Sequence, residues 1–191
     1  AQGTDNPKVA RIAKLCERGV PARSILAVTF TNKAAGEMRE RVAKLVGPKA
    51  AKELTVSTFH SFGLGVLRAE TKALGFRGDR FAIFDQADQS GVVREILRTL
   101  RADKSFDIGS ILGRISAMKN AFEPIEAVDD EGTGGPRSIG AIDDYGEIAK
   151  LVYPRYQAAM KTFQAFDFDD LICAVVELWR RREDVLEKWR Q

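Results

Sequence analysis

Two short polar and aromatic segments hold the residues of this chain best suited to binding chemistry. The first consists of Phe30, Thr31, Asn32 and Lys33, and the second of Thr58, Phe59, His60 and Ser61. Each segment lies where an apolar, strand-like run passes into a helical pattern. Phenylalanine rings can stack on bases, and helix-start amides with a lysine can hold phosphate. These residue types favour a nucleic-acid strand over a small apolar ligand.

Two strand–helix units must position these segments. Strands are predicted over 25–30 and 54–59, each followed by a helix, to Val46 and to Leu74 respectively. A short helix over 8–20 comes before the first strand. Successive strand–helix units predict a parallel sheet, whose strands end at one edge. We therefore expect the two segments to line one groove.

The apolar residues predict which parts of these units are buried. The run that begins at Ile25 and Leu26 is typical of a buried parallel strand. Helical spacing predicts that the following helix buries one face, consisting of Ala35, Met38, Val42 and Leu45.

Each segment also has an ordinary structural interpretation. Thr31 or Asn32 could simply cap a helix, and Phe30 could belong to the core. His60 is the only histidine, which excludes a metal site built from several histidines and gives little support to a Ser-His-Asp triad. A capping role for His60 is equally natural, so the residues alone leave both interpretations open.

The pattern changes after Gly78. Helices are predicted over 85–101, 108–122, 143–166 and 167–190, without a strand signal of comparable quality. The acidic, glycine-rich segment within 123–140 predicts an exposed loop. The fold class is therefore α/β, a small sheet followed by a helical part. Two or three strands make a small sheet, so we expect a piece of a larger protein.

Three carboxylates, on Asp167, Asp169 and Asp170, open the last predicted helix. They could bind Mg²⁺, but acidic residues in a first helical turn more often cap the helix and complement its dipole. The capping interpretation is the stronger one.

Charge is unevenly distributed along the 191 residues. Residues 1–80 hold 15 Lys/Arg against 7 Asp/Glu, and residues 81–191 hold 15 against 20. A basic first part favours phosphate attraction, although solvated surface charges explain it equally well. No apolar run approaches the roughly 20 residues that span a bilayer. The first residues show no basic-then-apolar pattern of a secretory signal. We expect the two cysteines to be reduced, with a disulfide as the alternative.

These segments together resemble the superfamily 1 DNA helicases of the UvrD/Rep/PcrA type. Residues 25–42, ILAVTFTNKAAGEMRERV, are similar to that family's motif Ia, and residues 55–68, TVSTFHSFGLGVLR, to its next DNA-contacting motif. Residues 81–89 and 166–179 resemble the segments that enter and leave the family's inserted 1B subdomain. The resemblance covers essentially all of residues 8–191.

The resemblance implies a partial parallel sheet of a RecA-like, P-loop NTPase motor domain. Motor domain 1A would occupy 1–78, the helical 1B subdomain 79–166, and a helix returning to 1A would occupy 167–191. Phe30, Thr31 and Asn32, with Phe59 and His60, would face single-stranded DNA or single/double-strand junctions. The intact protein would couple ATP hydrolysis with Mg²⁺ to 3′-to-5′ translocation in a bacterial cytoplasm.

The sequence departs from the family at its catalytic parts. The phosphate loop expected before Arg11 is absent, and neither the acidic Mg²⁺ motif nor the second motor domain appears. We therefore expect a fragment that binds DNA at most, without catalytic, cofactor or metal residues of its own. The alternative is a helical protein-interaction module, and a stand-alone hydrolase is disfavoured. Exposed sheet edges could produce a homodimer.

Overall fold

The computed structural model describes residues 6–100, 106–122 and 145–190. They form a mixed α/β structure, mostly helical with short parallel strands. The chain divides into two compact units, Ala1–Ala69 with Leu178–Gln191, and Glu70–Glu177. The predicted boundaries at 78 and 166 both lie within the second unit, and their assignment to named subdomains stays a prediction. The predicted loop within 123–140 lies outside the described residues.

The first unit contains both predicted strand–helix units. Its elements are α1 (Pro7–Glu17), a 3₁₀ turn (Ala22–Ser24), β1 (Leu26–Thr29), α2 (Asn32–Val46), α3 (Pro48–Glu53), β2 (Thr55–Thr58) and α4 (Phe59–Ala69). Strands β1 and β2 pair in parallel, with Leu26 opposite Thr55 and Thr29 opposite Thr58. The helix–strand–helix order is confirmed, α3 was not predicted, and α4 ends before the expected Leu74.

Helices α1 and α2 cover one face of this sheet. The buried core of the unit consists of Val9, Ile12, Ile25, Met38, Val42, Leu54 and Val56. The prediction of a buried first strand is wrong for Leu26, which is 45% exposed, because its side chain lies on the opposite face from this core. The predicted burial of Leu45 is also wrong, whereas burial of Ala35 and Met38 is confirmed.

The end of the chain forms two helices, α8 (Asp170–Arg181) and α9 (Glu183–Arg190). The single helix predicted here is wrong, because the acidic residues Glu183 and Asp184 begin a new helix and complement its dipole. In the first unit, both tryptophans contact Phe62 of α4. The ring centroids are 6.4 Å away for Trp179 and 5.9 Å for Trp189.

The second unit is built on helices. Its elements are β3 (Ala82–Ile83), α5 (Gln86–Thr99), α6 (Ile108–Ala121), α7 (Tyr145–Thr162), β4 (Ala165–Phe166) and the first part of α8. Strands β3 and β4 pair in parallel, so the helix predicted over 143–166 is wrong at Ala165 and Phe166, which form β4. Two-residue strands are too short to show an alternating pattern. The core includes Ile111, Ile148 and Tyr156, and all three tyrosines lie in this unit.

Candidate nucleic-acid interface

The register of the first sheet brings the two predicted segments together. Thr29 and Thr58 are partners at the last step of the β1–β2 ladder, so Phe30 and Phe59 follow at the same edge. Their ring centroids lie 5.4 Å apart with 43° between the ring planes. The two rings therefore form one aromatic pair at the carboxyl ends of two parallel strands, the edge where open α/β sheets bind ligands.

This aromatic pair is accessible to solvent. Phe30 is 86% exposed and Phe59 is 39% exposed. The alternative interpretation of Phe30 as a core residue is therefore wrong. A phenylalanine this exposed gains little from folding, and its ring face is open to a flat ligand.

Thr31 shows that helix capping and an exposed surface coexist in the first segment. Its Oγ1 accepts a hydrogen bond from the Ala34 amide at 3.2 Å and so caps α2, which confirms the capping interpretation. Thr31, Asn32 and Lys33 are nonetheless all exposed. The first-turn amides and the helix dipole place partial positive charge beside the Lys33 ammonium.

Thr58 differs from its neighbours because its side chain is buried. The Ser61 amide donates to Thr58 Oγ1 at 3.1 Å, and the Thr58 hydroxyl donates to Ser61 Oγ at 2.9 Å. These bonds hold the first turn of α4. His60 and Ser61 in that turn are exposed.

Arg39 of α2 is a residue that sequence analysis missed. Its Nη2 donates to the Val56 carbonyl oxygen of β2 at 2.6 Å. The bond joins the helix that follows the first segment to the strand that precedes the second. The spacing of residues in the sequence does not predict this contact, because the contact depends on how α2 crosses the sheet.

Two of the three predicted acidic residues, Asp167 and Asp170, are buried around Lys119 of α6 in the second unit. Asp169 is only half-buried, and its Oδ1 accepts a hydrogen bond from Asn120 Nδ2 at 3.2 Å. Lys119 Nζ donates to Asp167 Oδ2 at 2.6 Å and to Asp170 Oδ1 at 2.8 Å. The Tyr156 hydroxyl donates to Asp167 Oδ2 at 2.9 Å. We call Lys119, Asp167, Asp170 and Tyr156 the Lys119 network.

Asp167 and Asp170 also cap α8 reciprocally. The Asp170 amide donates to Asp167 Oδ1 at 3.1 Å, and the Asp167 amide donates to Asp170 Oδ2 at 3.2 Å. The capping interpretation is confirmed for these two residues. In the described parts of the chain, no group of three or more His, Cys, Asp or Glu side chains could hold a metal ion.

Burial and pairing shift the pKa values of the Lys119 network. Burial, reinforced by the neighbouring Asp167 charge, raises the pKa of Asp170 to about 6 despite the attraction of Lys119. Burial acts in the same direction on Asp167, but the Lys119 charge and hydrogen bond outweigh it and lower its pKa. Burial tends to lower the pKa of Lys119, yet the two carboxylates raise it overall. The ammonium is therefore held in its charged form.

The predicted state of the cysteines is confirmed. Cys16 and Cys173 are both free thiols. Burial raises the pKa of the Cys173 thiol to about 11, which keeps it protonated and unreactive at neutral pH. Among the described helices, none is sufficiently long and apolar to cross a membrane.

Comparison with known proteins supplies the family. Residues 9–191 match the family model described as the UvrD/REP helicase N-terminal domain. The chain is 37% identical over 183 residues to the ATP-dependent DNA helicase Rep of Escherichia coli (strain K12), covering 96% of the chain and 25% of that relative. It is 39% identical over 183 residues to the ATP-dependent DNA helicase PcrA of Bacillus subtilis (strain 168), covering 95% and 23%. The chain spans about a quarter of the length of these curated relatives.

Proposed function

This chain belongs to the UvrD/REP helicase family, and we propose that it binds single-stranded DNA at the edge of its first sheet. The surface consists of residues 30–33 and 58–61, and we call it the strand-end surface. One observation carries the proposal: the exposed Phe30 ring lies against Phe59 at the carboxyl ends of β1 and β2. In support, the named relatives are DNA helicases.

The geometry of the ring pair specifies how a base would bind. A base held between two rings needs two stacking steps of about 3.4 Å each. The centroids of Phe30 and Phe59 lie 5.4 Å apart, which leaves no room between them. A base therefore stacks on the outer face of Phe30, with Phe59 supporting the ring from behind. Such stacking contributes about 1–3 kcal/mol per base and tolerates any sequence.

Phosphate binding would come from the start of α2. Lys33 is exposed there, and the first amides of a helix point towards any anion beyond its N-terminus. The net positive charge of residues 1–80 adds long-range attraction for the DNA backbone. Base stacking on Phe30 and phosphate contacts at Lys33 together hold a single strand without reading its sequence.

For a protein of the relatives' length that contains this chain, we propose ATP-driven, Mg²⁺-dependent 3′-to-5′ translocation in a bacterial cytoplasm. The first unit would contribute part of a RecA-like motor domain 1A, and most of the second unit would form subdomain 1B, which contacts single/double-strand junctions. The family match supports this assignment. Neither the family match nor the named relatives support the expected homodimer, and it stays a prediction.

Fluorescence anisotropy with a labelled single-stranded oligonucleotide tests the proposal. We expect binding that weakens as salt rises, and a further loss of about fivefold or more for Phe30→Ala, since about 1–3 kcal/mol of stacking disappears. The matched control is Phe163→Ala in the second unit, which removes a ring that is 57% exposed. Absence of binding at low salt, or equal losses for the two variants, contradicts the proposal.

A protein-interaction module is the second candidate function. Phe163, Phe168 and Ile172 expose apolar side chains in the second unit, and apolar exposure of this kind often marks a protein contact. Under this candidate, Phe30→Ala and His60→Ala leave all binding unchanged. The anisotropy experiment therefore separates the two candidates.

A further inference from the structure

We infer that Arg39 is a positioning residue for the strand-end surface: its guanidinium fixes β2 against α2 and so sets the spacing of Phe59 from Phe30. The inference rests on the proposed function and deepens it. It assigns a role to a residue that need not touch DNA.

The Arg39 bond uses a backbone acceptor that the β1–β2 ladder leaves open. The Thr55 amide donates to the Ile25 carbonyl at 3.2 Å, so the polar groups of Thr55 face β1. Backbone groups of successive strand residues point to opposite sides, and the Val56 carbonyl therefore points away from β1. In the sheet that the described residues form, β2 has no other strand on that side. Arg39 Nη2 satisfies this carbonyl at 2.6 Å.

The position of Arg39 makes this bond a second tie between the two halves of the surface. Helix α2 begins at Asn32, directly after Phe30 and Thr31, and Arg39 lies about two turns further along the same helix. Val56 lies in β2, three residues before Phe59, which begins α4 directly after that strand. The bond therefore links the helix that follows Phe30 to the strand that precedes Phe59, independently of the β1–β2 ladder.

The chemistry of the bond suits a positioning role. A hydrogen bond from a charged donor is stronger than one between neutral groups, and a guanidinium is a rigid planar donor. The Arg39 side chain is itself largely exposed, so apolar packing of its stem contributes little. A binding surface loses function when its supporting contacts allow shifts of about 1 Å.

The test is a double-mutant cycle in single-stranded DNA affinity, measured by anisotropy at one fixed salt concentration. Phe59→Ala and Phe30→Ala are each combined with Arg39→Ala. We expect Arg39→Ala to weaken binding about fivefold or more, and Phe59→Ala to add almost nothing in that background. Phe30→Ala should still weaken binding in the Arg39→Ala background.

Arg41→Ala is the matched control, because it removes the same charge from the same helix. Arg41 faces Glu37 at 3.9 Å on an exposed surface, one turn away on α2 itself. We expect a loss of about twofold or less from charge alone, with the Phe59→Ala effect undiminished. Where Arg39→Ala proves too unstable to use, Arg39→Lys is the second variant. It keeps the charge but not the planar donor, and we expect a partial loss with the same coupling to Phe59.

Amide hydrogen exchange of β2 and the first turn of α4 provides a readout without DNA. Faster exchange in Arg39→Ala than in Arg41→Ala supports the inference. Equal exchange, or equal DNA affinity of the two arginine variants when the unsubstituted protein binds, overturns it and leaves the proposed function intact. Absence of binding by the unsubstituted protein overturns the proposed function and this inference with it.

Discussion

The β2–α4 junction and the β4–α8 junction have similar local arrangements but differ in whether their polar side chains are exposed or buried. Both pass from a short parallel strand into a helix through aromatic and polar residues. At the first junction Phe59, His60 and Ser61 are exposed. At the second, Asp167 and Asp170 are buried against Lys119. The same position in a strand–helix unit thus carries a candidate binding surface in one unit and a structural network in the other.

The difference shows that burial, more than residue type, separates the two roles. A buried carboxylate requires a partner, because an unpaired buried charge costs several kcal/mol. An exposed ring such as Phe30 requires none, and its free face is available to a ligand. Substituting Lys119, the partner of the buried carboxylates, and substituting exposed residues of the strand-end surface therefore test this difference.

The largest expected effect comes from Lys119→Met. The variant keeps the aliphatic stem but leaves Asp167 and Asp170 buried without a counter-charge. We expect a loss of about 3–5 kcal/mol in the free energy of unfolding, with the second unit losing its amide-exchange protection. Urea unfolding combined with hydrogen exchange of α6 and α7 measures it.

The control for this variant is Lys150→Met on α7. Lys150 pairs with Glu147 at 3.0 Å on an exposed surface, and exposed pairs contribute about 1 kcal/mol or less. Equal destabilisation by the two substitutions would show that the Lys119 network has no special weight.

The next largest expected effect is a pH dependence of the free energy of unfolding that comes from Asp170. Its pKa rises from the ordinary 3.8 to about 6 in the folded protein, so the folded state holds the proton more tightly than the unfolded chain. This contribution to stability is present at low pH and is lost as pH rises towards 6. Between about pH 4 and about pH 7, we expect unfolding free energy to fall relative to Asp170→Asn by at most about 3 kcal/mol.

Urea unfolding of both proteins across this range measures the difference. Because the pKa of Asp167 is lowered, its titration changes stability below about pH 4, outside this range. A difference that stays constant from acid to neutral pH rules out the titration of Asp170 as its source.

Local pattern predicted one junction better than the other. The strand-end surface followed from two strand–helix units, because parallel strands must end at one edge. The paired rings, Phe30 and Phe59, follow two strands that are neighbours along the chain. Lys119 lies 48 residues before Asp167, and an isolated lysine in a helical pattern resembles any surface lysine. Sequence spacing also gave no sign of Arg39, or of two-residue strands such as β3, since these depend on tertiary packing.

A smaller effect is expected in the salt dependence of DNA binding. Lys33→Gln should reduce the slope of log affinity against log salt by about 0.7, the value for one phosphate contact on a single strand. Lys49→Gln on α3 is the control, since Lys49 is also exposed and lies outside the strand-end surface. Anisotropy titrations at several salt concentrations give both slopes, and equal slopes for the two variants would remove Lys33 from the phosphate contacts.

The smallest effect is expected from Gly65→Ala on α4. Its added Cβ would meet no atom within 4 Å, and alanine favours a helix by about 0.5–1 kcal/mol over glycine. We expect thermal unfolding at a slightly higher temperature, with DNA affinity unchanged. Gly47→Ala should instead lower the unfolding temperature, because Gly47 has a φ of +83°, which strains an alanine. A drop in affinity for Gly65→Ala would extend the binding surface along α4.

The distribution of aromatic side chains gives each unit its own intrinsic fluorescent residues. Both tryptophans lie in the first unit and all three tyrosines in the second. Tryptophan emission therefore reports on the first unit and tyrosine emission on the second. Since Trp179 and Trp189 both contact Phe62, tryptophan emission also monitors α4. DNA binding to the first unit and a change within α4 can thus be followed in the natural sequence without an attached dye.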